Sequence, residues 1–126
     1  MGTRSTIHFF ENKTHIVSIY QQYNGYPSHV GLNLANFLLS GKIVNGYSSE
    51  DAKNYNGMGC LTAQFIAKFK DGIGNFYITN KKNLQEFNYI VTFKDNENLV
   101  IQVIDEDGNR IFKGNCEEFL SFCQSN

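Results

Sequence analysis

Tryptophan is absent from this chain, proline occurs once, and arginine only at Arg4 and Arg110. The other basic residues are scattered lysines, and the formal net charge is −1. No stripe of Lys and Arg tracks a phosphate backbone, so binding of long nucleic acid by counterion release is not expected. Cysteine is sparse too: Cys60, Cys116 and Cys123 are an odd number and form no C-x-x-C pair. That argues against a disulfide scaffold and against structural zinc, and it points to a reducing cytoplasm. No apolar run approaches the roughly 20 residues of a membrane helix. No leader-like segment precedes the first predicted strand; "MGTRST" fits a myristoylation pattern, but Thr3–Phe10 reads as strand instead. A Walker A motif is missing, and "GIGNFY" lacks the strand-before, helix-after setting of a dinucleotide fingerprint. The acidic "DEDGN" turn lacks the later Glu of a calcium loop, and no paired carboxylates suit glycoside chemistry. Neither metal nor cofactor is expected.

What is present is a soluble, globular pattern. Apolar residues make up 41% and charged residues 18% of 126 residues, enough for one domain, 1–126, with its own core. "STIHFFENKTHIVSIYQQY" reads as a hairpin about Asn12-Lys13, with Ile7, Phe9, Val17 and Ile19 inward and Tyr20 and Gln22 on the opposite face. Ser28 is the expected N-cap of a helix through Leu39. A polar loop follows, with a short helical turn expected after Ser48, and then a second helix opening at about Cys60 and stopping at Gly72. The runs Gly74–Thr79, Glu86–Lys94, Leu99–Asp105 and Arg110–Lys113 read as a meander. Asn115 caps a last helix whose first turn carries Glu117 and Glu118. The expected fold is α+β: an antiparallel sheet of about six strands, hairpin plus meander, with three helices packed on it.

Two stretches concentrate recognition chemistry. In "YQQYNGYPSH", Tyr20, Gln22, Tyr23, Asn24 and Tyr26 offer flat rings for stacking and amides that both donate and accept. The same residues also make good strand and turn chemistry. In "YNGMGCLTAQ", Asn56, Gly57, Met58, Gly59, Cys60 and Gln64 surround a helix start whose free N–H groups suit an anion. The alternative is a glycine-rich connection into a core helix with Cys60 merely buried, but the location favours a site. Arg4, at the mouth of the first strand, could clamp a phosphate or carboxylate, or be a simple exposed charge. A thiolate at Cys60 with His8, His15 or His29 as base would make an enzyme, but no third orienting residue accompanies it.

"GTRSTI", "YQQYNGYPS", "KIVNG", "NGMGCLTAQ" and "FKDGIGNFY" together resemble a family of short phage, prophage and virus proteins. Members typically begin G-T-R, then carry Y-R-Q-Y-D-G-Y-P-S-G-H-G and later N-G-M-G-C. The resemblance covers Gly2 to Tyr77 and brings no established activity. Gln21 stands where the pattern has Arg, Asn24 where it has Asp, and His29 one place before the usual His, which Val30 replaces. Those departures favour recognition by shape and stacking over acid–base catalysis. By analogy of setting, the resemblance implies an accessory role against host defence, in the host cytoplasm.

Three readings follow, in this order. The first is a protein that binds and sequesters a small nucleotide-like molecule, of cyclic or ADP-ribose type, with a homo-oligomer expected if the ligand lies between subunits. The second is an inhibitor whose tyrosines grip a host defence protein as an antibody surface would. The third is a small hydrolase or lyase using Cys60 or His29.

Overall fold

The computed structural model describes residues 2–46, 54–80, 83–94 and 98–126. Strands β1 (Ser5–Glu11) and β2 (Thr14–Gln21) form the expected hairpin, its turn made by Asn12 at φ 53°. Asparagine tolerates that left-handed conformation because its short polar side chain bonds locally. A π-helical turn, Pro27–Gly31, runs directly into α1 (Leu32–Leu39). Two short strands follow, β3 (Ile43–Val44) and β4 (Tyr55–Asn56), and then α2 (Gly57–Phe69). The rest is β5 (Phe76–Thr79), β6 (Phe87–Lys94), β7 (Asn98–Asp105), β8 (Arg110–Gly114) and α3 (Cys116–Gln124).

The fold is α+β. One six-stranded sheet, in the order β5-β2-β1-β6-β7-β8, carries three helices on one face, and β3 and β4 pair in parallel beside it. Two expectations need correction. The sheet is mixed, because β1 and β6 pair in parallel while its other neighbours are antiparallel. The meander is β6-β7-β8 alone, since β5 adds to the far side of β2. Hydrophobic alternation tells which face of a strand is buried; it carries no information about which strand lies alongside.

The core lies between that sheet and the helices. Ile7, Phe9, Ile19, Tyr89, Val91, Ile101 and Val103 meet Leu34, Phe37, Leu61, Phe65 and Phe119, all buried. Phe65 stacks on Phe76 with ring centroids 5.6 Å apart and meets Phe9 at 5.8 Å, so α2 is pinned to both β1 and β5. Each such aromatic contributes about 1.5–3 kcal/mol by leaving water.

Helix starts differ in how they are secured. At α3 the expected cap is a full capping box: Asn115 Oδ1 accepts from the Glu118 N–H at 2.8 Å, and Glu118 Oε1 accepts from the Asn115 N–H at 3.0 Å. Ser28 is not a cap, because the helical path already begins at Pro27; its hydroxyl lies 3.3 Å from His29 Nδ1. Proline's fixed φ suits the first helical position, and its missing N–H removes one donor that would need a partner. Helix α2 opens at Gly57, three residues before Cys60, with Gly57 at φ 82°. The helical turn expected after Ser48 lies outside the described residues.

Cys123 is fully buried and Cys116 half-buried on α3. Burial pushes their thiols up to about 12 and about 11, with Glu117 adding to the shift at Cys116, so both stay protonated.

Candidate functional site

Among the described residues, no helix covers the second face of the sheet. Period-two alternation sends to that face the neighbours of each core residue. Registers Tyr20↔Tyr77, Thr6↔Tyr20 and Thr6↔Asn88 therefore lay Tyr77, Tyr20, Thr6 and Asn88 in one row across β5, β2, β1 and β6. Along the row opens a cleft of about 540 Å³ whose wall includes Arg4, Tyr20, Gln22, Tyr77 and Gln85.

The two tyrosine rings stand 6.2 Å apart and tilted at 45°. Lys70 Nζ sits 5.9 Å from the Tyr77 centroid, a cation–π contact at the cleft's border. The Arg4 main-chain N–H donates to Glu86 Oε1 at 3.5 Å, while its exposed guanidinium has no ion pair among the described residues. Aromatic faces, side-chain amides and an unpaired guanidinium thus converge on one volume.

A single amide holds the far wall. Asn88 is 1% exposed, and its Oδ1 accepts from Thr6 Oγ1 (2.7 Å) and the Gln85 N–H (2.9 Å). Its Nδ2 donates to the carbonyls of Gln85 (2.8 Å) and Ile104 (3.1 Å). All the hydrogen-bonding capacity of the amide is used, and Gln85 is tied down on both sides of its backbone.

The residues singled out in the sequence fall in separate places. Arg4, Tyr20 and Gln22 share the cleft just described. Tyr23, Asn24 and His29 line a second cleft of about 530 Å³, between the turn after β2 and the polar side of α1. Tyr26 belongs to neither; it is half-exposed and packs between the rings of Phe87 (6.0 Å) and His29 (5.9 Å). Gln21, where the family pattern has Arg, is buried and donates from Nε2 to the Tyr23 carbonyl at 2.6 Å. It therefore serves the turn.

Close packing explains the glycine in that turn. Gly25 N–H donates to the Thr3 carbonyl (3.0 Å), and Tyr89 Oη donates to the Gly25 carbonyl (2.7 Å). A Cβ at Gly25 would lie 2.7 Å from Ser5 Cβ, so the "GTR" and "YNGYP" stretches lock together through a bare backbone.

The start of α2 is a third location. Asn56 and Gly57 line a cleft of about 540 Å³ with Glu11, whose carboxylate opposes the anion seat expected there. Asn56 Oδ1 is already used, accepting from the Gly46 N–H at 2.8 Å. Met58 is 1% exposed and part of the core, which removes it from any ligand-contacting set. Gly59 is exposed, with open space where a Cβ would stand. Cys60 Sγ donates to Gln64 Oε1 at 2.8 Å, one helical turn on. Among the described residues Cys60 has no histidine partner, and the imidazole hydrogen bonds of His8, His15 and His29 run to serines.

Two of those imidazoles meet at one hydroxyl. His8 Nδ1 lies 2.6 Å and His15 Nε2 2.7 Å from Ser18 Oγ, on the uncovered sheet face. A register shift after Phe9 makes His15, rather than Ile16, the partner of Phe10 and turns it toward Ser18. The hydroxyl proton serves one ring, so the other must donate its own N–H. Burial first, and the nearby His15 second, hold His8 below the usual histidine range. Among the described residues no three His, Cys, Asp or Glu side chains converge on a metal position.

Sequence reasoning missed Tyr77, Gln85 and Asn88. Tyr77 had a signal, an aromatic at an outward position of the "NFYIT" strand, but that strand's attachment to β2 is a tertiary fact. No protein-family model, curated protein or solved structure matches the chain.

Proposed function

We propose that this protein binds and sequesters a small, anionic, nucleotide-like molecule in the cleft between Arg4, Tyr20 and Tyr77. The observation that carries the reading is the pairing of Tyr20 with Tyr77 beside an unpaired guanidinium. A planar ring stacks on tyrosine without regard to sequence, and Gln22 and Gln85 amides meet its polar edge. A phosphate finds Arg4, whose planar fork binds it through two parallel hydrogen bonds. No acid–base pair faces the tyrosines among the cleft residues, so the ligand leaves as it came. In the phage setting that the resemblance implies, such sequestration would blunt a nucleotide-signalled host defence.

The test is to incubate the purified protein with a panel of linear and cyclic nucleotides, desalt it, denature it with heat and identify what is released by mass spectrometry. Intact nucleotide in near-stoichiometric amount is the expected result. Tyr20→Ala should weaken binding by roughly 5- to 150-fold, the loss of about 1–3 kcal/mol of stacking. A converted nucleotide would replace sequestration with catalysis. An empty release, or a Tyr20→Ala variant that binds as the parent does, would end the cleft reading.

A second reading draws on the exposure of Tyr23 (44%), Tyr26 (46%) and Tyr77 (49%). Tyrosines presented in this way also suit a protein-binding inhibitor. A complex with a host protein that survives removal of all small molecules would favour it.

A further inference from the structure

Strand β5 is an edge of the six-stranded sheet, and its hydrogen bonding shows which groups face outward. The Gln22 N–H donates to the Asn75 carbonyl at 3.2 Å, in register with Tyr20↔Tyr77 and Ser18↔Thr79. In an antiparallel pair the bonded residues alternate. Asn75, Tyr77 and Thr79 therefore turn their N–H and C=O toward β2, and Phe76 and Ile78 turn theirs away from the sheet.

The strand's own residues are uncharged and mostly apolar, with Lys70 reaching over the Tyr77 ring from the end of α2. Ile78 is 65% exposed, Tyr77 is 49% exposed, and Ile73, just before the strand, is fully exposed. Natural sheets blunt their edges with charges, proline or bulges, and Phe76–Thr79 has none of these. The opposite edge, β8, carries Arg110 and Lys113, which would face their like in a self-pairing.

We propose that β5 is the contact through which a second copy of this chain pairs, antiparallel, about a two-fold axis at Tyr77. In that register the outward N–H and C=O of Phe76 meet those of Ile78 from the other copy, and the reverse. Tyr77 lies opposite Tyr77 on the cleft side, and Ile78 covers Phe76 on the helix side. The uncharged Phe76–Thr79 strand sets no like charges opposite one another about the two-fold, which favours a second copy. The row Tyr20–Tyr77 then continues into its symmetry mate, so that each copy contributes a tyrosine at the border of the other's cleft. A four-residue edge buries less than a standard permanent interface, so the dimer should dissociate on dilution.

Sedimentation velocity over a dilution series tests this without any ligand, so its outcome is separate from that of the nucleotide assay. The parent should move from 14.4 kDa toward twice that mass as concentration rises, and Ile78→Lys should stay at 14.4 kDa with an unchanged far-UV spectrum. A cross-link guards against a misfolded lysine variant. In a Cys60→Ser background, Tyr77→Cys places two thiols on a non-hydrogen-bonded pair about 4.5 Å apart at Cα, within disulfide reach. Mild oxidation should give a covalent dimer, and a Tyr23→Cys control should not. A parent that remains at 14.4 kDa throughout, an Ile78→Lys variant that associates like the parent, or cross-linking no greater at Tyr77 than at Tyr23 would overturn the proposal.

Discussion

Replacing Asn88 with alanine should destabilise this protein by about 3 kcal/mol. The amide is 1% exposed and takes part in four hydrogen bonds, to Thr6, to both backbone groups of Gln85 and to the Ile104 carbonyl. Each bond is worth about 1 kcal/mol net, and a buried group left unpaired costs more than that average. Thr6, 2% exposed, would be such a group, whereas half-buried Gln85 recovers part of its loss from water. Unfolding entropy near 2.1 cal/mol/K per residue over 126 residues converts about 3 kcal/mol into a fall of roughly 11 °C in Tm. Urea unfolding followed by circular dichroism should show a lower midpoint at an unchanged slope. Coupling to Thr6→Val in a double-mutant cycle should be about 1 kcal/mol. Asn88→Asp should cost at least as much, since a carboxylate would face two carbonyls. A loss below 1 kcal/mol for Asn88→Ala would refute the account of Asn88 as the clasp of the cleft wall. Ligand binding should weaken in the same variant, because Gln85 would no longer be held.

Two further outcomes follow from the same geometry. The folded state keeps His8 below its unfolded value of 6.5, so between the lowered value and 6.5 the unfolded chain binds the extra proton. Stability should be full above that window and decline as pH falls through it; His8→Gln should flatten the decline, and an unchanged slope in the variant would refute the assignment. Gly25→Ala should cost about 1–3 kcal/mol, because its Cβ would meet Ser5 Cβ at 2.7 Å and the Thr3 carbonyl at 2.9 Å. A urea midpoint equal to the parent's would show that the turn yields without strain.

Much of the architecture was legible locally. Alternation in "TIHFF" and "IVSIY" put Ile7, Phe9 and Ile19 in the core, and Asn115 announced the start of α3, which a capping box with Glu118 holds. Local signals failed where two solutions satisfy the same chemistry. Ser28 looked like a cap, but Pro27 had already begun the turn. Met58 sat in a recognition-rich stretch, yet the earlier start of α2 directs it into the core.

The chain's own sequence determined the types of its longer strands and helices, the face each buries, and the candidacy of Arg4, Tyr20 and Gln22 as site residues. These depend on periodicity and side-chain chemistry, which are local properties. The short β3–β4 pair and the π-helical turn at Pro27 carried no such signal. Tertiary structure alone decided that β6 runs parallel beside β1, that β5 lies outside β2, and that among the described residues one sheet face goes without helices. Through those pairings Tyr77 and Gln85 join Tyr20, while Tyr23, Asn24, His29 and the Gly57–Cys60 stretch go elsewhere. Strand neighbours are selected by how the whole apolar surface closes on itself, a sum over distant residues that no short window of sequence contains.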